Sequence, residues 1–323
     1  MRWFSRALAG ASEGVAALLG LVCSSCVFPL TIIDDNAART FTTPSPPAFH
    51  TRNPVRKDAR LAVLWVGHAT TLVQLEDRLV MTDPVFSRTV GILSPRLVAP
   101  GLEPADVPRL DAVLISHMHF DHLSLSSLDD IEGQVGQLLV PQRGLIYVPG
   151  FDFPTDELRT WHYWERGGLR ITAVPVQHVG YRYGADDAWM STSYTGYVIE
   201  YRGLTVYYGG DTGYNQAMFE ETRKRFPHID LALLPIAPIH PRDFMAPTHV
   251  DPEEAVRCFR DLGAKVLVPI HFDTFINSHD APGEAPRRLR AIMRREGLTP
   301  QQVRILKHGE QVVLEKQANG EKH

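Results

Sequence analysis

Between Ile115 and His122 the chain reads ISHMHFDH, so His117, His119, Asp121 and His122 all fall within one short stretch. Imidazole nitrogens and a carboxylate are ligands that suit Zn²⁺, with room left for water when three or four protein groups hold the ion. In a regular strand positions 117, 119 and 121 would share one face and His122 would point away. On a loop running into a first helical turn all four can converge. Burying such a cluster without a compensating charge is costly, so its chemistry is metal binding and not a solvated histidine-rich turn.

Four ligands in one loop do not complete two sites, and the partners must come from elsewhere in the chain. His178 follows the apolar run VPVQ. Asp211 follows VYYGG, whose two glycines permit close backbone approach, and His271 ends VLVPI. An isolated histidine is usually structural. The recurrence of an apolar strand ending in His or Asp is how a rigid sheet collects ligands at one edge. His68 in VGHAT and Asp83 in TDP close two earlier strands and are candidates to orient the ligand imidazoles.

The elements that position these residues read as β-rich. Ordered structure is expected to begin at LAVLWVGHATTLVQL, followed by DRLVMTDP and by the apolar strand DAVLI that feeds the cluster. Further strands are expected at Leu169–Val174, Tyr194–Tyr201, Leu204–Tyr208, Leu231–Pro235, Val266–Pro269, Val303–Leu306 and Val312–Leu314. Helices are expected at Gln216–Phe226, Pro252–Leu262 and Ala285–Arg295. The middle helix carries a start signal, with Asp251 as N-cap, Pro252 at the first helical position and Glu254 at the third. This order predicts an α/β fold of two mixed sheets face to face with helices outside, not eight regular β-α units.

Two stretches bear on lipid contact. Phe86, Phe151, Phe153, Trp161, Tyr163 and Trp164 lie in loop-like or short amphipathic segments and could line an apolar groove; the alternative makes DELRTWHYWE a short helix with its aromatics in the core. In APRRLRAIMRREG, Leu289, Ile292 and Met293 share one helical side while Arg287, Arg288, Arg290, Arg294 and Arg295 supply charge. Such a helix could rest on anionic lipid, or could simply present a solvated face.

Composition sets the remaining bounds. With 323 residues, 44% apolar and 22% charged, the chain can build one large α/β core without disulfides. A formal net charge of −4, from 33 basic and 37 acidic residues, disfavours a nucleic-acid partner. Residues 1–33 form a signal-like or lipid-anchor segment: Arg2 and Arg6 precede an apolar run from Ala7 to Val22, and Cys26 follows two serines. Export or membrane association is therefore expected, with a cytoplasmic location if the segment is not a signal. Residues 34–60 read as a proline-rich leader, and 61–323 as one globular domain. Three cysteines imply no disulfide framework.

The motifs HMHFDH, QH, GDTG and IHFDTF, in that order, resemble the metallo-β-lactamase superfamily, across roughly Leu61 to Leu314. The resemblance implies a four-layer αββα sandwich with two Zn²⁺, or Mn²⁺ or iron in such N/O sites. It implies that His117, His119 and His178 hold one ion, that Asp121, His122 and His271 hold the second, and that Asp211 bridges them. Two ions roughly 3.5–4 Å apart lower the pKa of a shared water and hold it for attack on an ester.

Longer stretches, among them VGHATTLVQLE, TDPVFS, FMAPTHVDPEEAVR and LKHGE, resemble the branch of phospholipases D that hydrolyse N-acylphosphatidylethanolamine. That branch is membrane-associated and releases an N-acylethanolamine and phosphatidic acid. His249 matches a histidine near its active site, and with Asp211 and Asp121 makes up the catalytic set that the resemblance implies. GYRYGADDAWMSTSYTGY departs most from it. The alternatives are a metal-dependent lactone or small-ester hydrolase and, from another class, a non-catalytic metal-stabilised binding protein.

Overall fold

A computed structural model describes residues 43–91 and 94–317. The signal-like segment, Cys26 and the first part of the leader lie outside the described residues. In chain order the strands are β1 (Ala59–Gly67), β2 (Thr70–Leu75), β3 (Arg78–Thr82), β4 (Thr89–Val90), β5 (Ser94–Pro95), β6 (Ala112–Leu114), β7 (Leu138–Pro141), β8 (Thr155–Leu158), β9 (Tyr163–Arg166), β10 (Leu169–Val174), β11 (Gly196–Tyr201), β12 (Leu204–Tyr208), β13 (Leu231–Pro235), β14 (Val266–Ile270) and β15 (Gln311–Lys316). The α-helices are α1 (Leu125–Asp130), α2 (Asp187–Met190), α3 (Gln216–Arg225), α4 (Arg242–Met245), α5 (Pro252–Leu262) and α6 (Glu284–Glu296).

One sheet runs β15-β1-β2-β3-β6-β7-β8 and the other β14-β13-β12-β11-β10-β9, with β4 and β5 as a separate ribbon. Both sheets are mixed: β3, β6, β7 and β8 pair in parallel, as do β12, β13 and β14, and the other pairs are antiparallel. The period-2 rule sorts β1. Val63 and Trp65 enter the core shared with the second sheet, while Leu64 and Val66 pack on the outer face against Leu102, Met118 and Leu128. The second sheet is covered by Phe219 of α3, Val256 and Phe259 of α5, and Leu289 and Ile292 of α6. This is the αββα sandwich expected from the residues.

Asp251 caps α5 as its sequence predicts. Its side chain accepts from Glu254 N at 2.9 Å, the Glu254 side chain returns to Asp251 N, and Gly263 ends the helix in the left-handed region.

Four expectations need correction. Val303–Leu306 is not a strand: only Val303 makes an isolated bridge, to Leu267. DELRTWHYWE is not a helix. It supplies β8 and β9 at the edges of the two sheets, because its short alternating runs also satisfy a half-buried strand. Phe86 and Phe153 are buried in the outer core and offer nothing to a groove. Finally, Leu289, Ile292 and Met293 of α6 are spent on the central core, leaving only the arginine face outward, so this helix has no apolar side free for a bilayer. Among the described residues no helix is long and apolar enough to cross a membrane.

Candidate metal centre

The loops that carry the candidate ligands leave one edge of the sandwich. Asp83 follows β3, the HMHFDH loop follows β6, His178 follows β10, Asp211 follows β12 and His271 follows β14, while His68 lies in the turn after β1. The two sheets are tied together there. His271 N–H donates to His68 O at 2.9 Å, Thr195 N–H donates to Ser116 O at 2.8 Å, and the Tyr197 hydroxyl donates to Ile115 O at 2.8 Å. Hydrogen bonds at the strand ends thus fix the ligand loops to one another.

The first cluster is His117, His119 and His178, all buried. Nε2 of His117 lies 2.8 Å from Nδ1 of His119 and 3.2 Å from Nε2 of His178. The outward nitrogens are tied down. His178 Nδ1–H donates to Thr248 O at 3.0 Å, and His117 Nδ1 lies 3.0 Å from Ser116 Oγ, an acceptor for its N–H. With those nitrogens protonated, the lone pairs of both Nε2 atoms face inward.

The second cluster gathers His68, Asp121, His122 and His271. Asp121 Oδ2 is 3.0 Å from His68 Nε2, 3.6 Å from His271 Nε2 and 3.7 Å from His122 Nε2. Asp211 stands between the clusters. Its Oδ2 is 3.1 Å from His271 Nε2, 3.3 Å from His122 Nε2 and 3.6 Å from His249 Nδ1. It groups with His117 and His122 on one side and with His178 and His249 on the other.

Charge differs between the clusters. Burial, reinforced by neighbouring imidazoles, holds His117 well below the ordinary histidine range, His119 at about 3 and His178 at about 4. These three are neutral, as ligands must be. Burial also opposes protonation of His122 and His271. There the Asp211 and Asp121 carboxylates prevail, raising His122 well above its ordinary value and His271 to about 9. His68 is held at about 3, first by burial and then by His271.

The donor set fits a metal. Among the described residues, buried His122 Nε2, His249 Nδ1, His271 Nε2 and Asp211 Oδ1 make no hydrogen bond of proper geometry, although the three nitrogens crowd around one carboxylate. Buried polar atoms are rarely left so. Cations at this point would satisfy them together, and an imidazole–carboxylate set suits zinc, manganese or iron.

Asp83 and Ser116 support the site from beneath. Asp83 accepts from Ser116 N at 2.7 Å, from Ser116 Oγ at 2.5 Å, from His122 Nδ1 at 2.5 Å and from the Tyr208 hydroxyl. Asp83 was expected to orient an imidazole and faces one. Ser116 reads in sequence as a spacer, yet it touches Asp83, His117 and His122. Tyr208 gives no sequence signal beyond its place at the end of β12. His68 reaches the carboxylate of Asp121 directly, not only a ligand imidazole.

Fold and site together define a metal-dependent hydrolase. A family model described as beta-lactamase superfamily domain matches residues 78–272, and the chain belongs to that superfamily. It is 33% identical over 262 residues to an uncharacterized protein of Mycobacterium tuberculosis, covering 76% of this chain and 68% of the other. It is 29% identical over 241 residues to N-acyl-phosphatidylethanolamine-hydrolyzing phospholipase D 1 of Caenorhabditis elegans, covering 70% and 67%. Among solved structures, the isothiocyanate hydrolase from Delia radicum gut bacteria superposes with a TM-score of 0.64 at 19% identity. That match covers 79% of this chain and 99% of the other, a likeness of fold alone.

Proposed function

We propose that the chain is a phosphodiesterase of the phospholipase D type, hydrolysing N-acylphosphatidylethanolamine-like phospholipids to an N-acylethanolamine and phosphatidic acid. The observation that carries this reading is the 29% identity over 241 residues to the C. elegans phospholipase D, taken with the two clusters of metal-ligand type. Two Zn²⁺ ions, when bound, would supply Lewis acidity toward the phosphate and activation of the attacking water.

The chain's own residues do the rest. Asp83, Ser116 and Thr248 hold the tautomers of His122, His117 and His178 so that their free nitrogens face the reaction centre. Asp211 joins the clusters and fixes their spacing. His249, beside Asp211, has its pKa pushed well below the ordinary value by burial. A neutral ring there favours accepting a proton or holding an ion over protonating the leaving group. The basic-then-apolar run before Cys26 supports export and a membrane-proximal location.

A lactone or small-ester hydrolase is the second reading. It is favoured by the pocket beside His68 and His271, which has a volume of about 320 Å³ and, among the described residues, is lined by no lysine or arginine. Incubating zinc-loaded protein with an N-acylated phosphatidylethanolamine and with a lactone panel separates the two. Release of phosphatidic acid supports the first, and lactone turnover without it overturns the first.

A further inference from the structure

That same pocket has a chemistry of its own. Its inner wall is His68 and His271 of the second cluster, and most of the remainder is the turn between β14 and α6. The turn is held in place. Thr274 Oγ1 accepts from His68 N at 2.7 Å, Ser94 Oγ donates to Ile276 O at 2.7 Å, and Asp273 Oδ1 accepts from Gly283 N at 2.8 Å. His271 and Asp273 both adopt positive φ, 63° and 52°, conformations kept only where the surroundings impose them. The cavity is therefore built into the fold.

Two carboxylates line it. Both oxygens of Asp280 are occupied, accepting from the backbone amides of Ile239 and His240 at 2.8 Å each. Asp273 spends only Oδ1 on Gly283, and its Oδ2 has no hydrogen-bond partner among the described residues. Among the described residues no lysine or arginine lines the cavity; Arg287 and Arg290 offset the charge of Asp273 only from outside that lining, and an anionic group inside it would meet the carboxylate first. A hydrogen-bond donor would satisfy it. The volume lies at the small end of the ~300–1,000 Å³ typical of ligand sites.

We propose that this pocket is the subsite for the alcohol-side portion of the substrate next to the cleaved bond, and that Asp273 selects a portion bearing an N–H or O–H donor over one that is anionic or lacks the donor. The proposal rests on the phospholipid reading for its choice of ligand, since an N-acylethanolamine carries an amide N–H two carbons from the bond that is cut. A free carboxylate oxygen in a half-buried pocket costs least when such a donor arrives.

The test uses zinc-loaded full-length protein and three small probes: N-acetylethanolamine, its N-methyl derivative without the amide donor, and the anion 2-hydroxyethanesulfonate. Binding is read by ligand-observed NMR titration in the wild type and in Asp273→Asn. The asparagine keeps an oxygen for Gly283 N–H and tolerates positive φ, and an unchanged melting temperature confirms the fold. It turns the pocket-facing oxygen into a donor. The expected result is about tenfold tighter binding of N-acetylethanolamine than of the N-methyl derivative in the wild type, with the sulfonate weakest. In Asp273→Asn the first difference should vanish and the sulfonate should gain affinity. Equal binding of the three probes, an order unchanged by the substitution, or no binding of any probe overturns the proposal. Failure of the phospholipid reading shows itself separately, as absence of phosphatidic acid release while this binding pattern persists.

Discussion

Asp83 Oδ2 lies 2.5 Å from Nδ1 of His122, and neither side chain is exposed at all. The pair fixes which nitrogen of His122 faces Asp211. Because Asp83 also accepts from Ser116 and Tyr208, its carboxylate meets donors only. Replacing one oxygen with an amide NH₂ sets a donor against donors. Asp83→Asn is therefore expected to weaken second-site metal affinity by about 10- to 100-fold, while the His117–His119–His178 cluster keeps its ion. Titration of metal-free variant with zinc against a chromophoric chelator measures this. Two undiminished affinities would refute the role.

The pKa pattern fixes how the metal-free protein responds to pH. His68 and His119 at about 3 and His178 at about 4 remain neutral when folded, whereas in the unfolded chain they protonate near 6.5. Below about 6.5 the unfolded state binds more protons, so stability falls with acidification by about 1.4 kcal/mol per pH unit for each such histidine. His271, at about 9, acts in the opposite direction. It is protonated in both states at pH 5 and contributes no slope there. Between about 6.5 and 9 it is protonated only when folded, and its stabilisation is lost as pH rises. The melting temperature of metal-free protein should peak near pH 6.5 to 7 and drop on both sides. A flat profile from pH 5 to 9 would contradict the charge assignment.

Gly210 has φ +55°, and a Cβ there would sit 2.4 Å from Cβ of Ser116. Ser116 cannot yield, since its backbone N–H and hydroxyl are both bound to Asp83. Gly210→Ala should cost about 2–5 kcal/mol, from left-handed strain and overpacking together. Denaturant unfolding of the metal-free variant reads the loss, and a change below about 0.5 kcal/mol would show that the loops can separate.

The sandwich was legible because the strands that carry ligands are apolar runs ending in His or Asp, a pattern that survives without knowledge of pairing. The residues that the structure gathers into the two clusters were legible for the same reason. What the residues could not show was depth. Ser116 reads as a spacer between Ile115 and His117, and only the approach of Asp83 from the neighbouring strand makes it a hub. Residues 155–166 alternate in a way that suits a short helix or two edge strands, and pairing with β7 and β10 decides the matter. In α6 the apolar stripe suits a bilayer and a protein core equally well. The core took it.

Among the described residues Asp211 is the carboxylate that groups with histidines of both clusters, and the account stands on two ions held across it. The most direct measurement is the metal content of protein stripped by chelator and reloaded with zinc, followed alongside hydrolysis of an ester substrate. Two ions per chain, turnover lost on chelation and regained on reloading, and Asp211→Asn that binds no more than one ion tightly with activity lowered by at least about 10²-fold are the expected results. Full activity with one ion per chain, or an Asp211→Asn variant that keeps both ions and wild-type turnover, would contradict it.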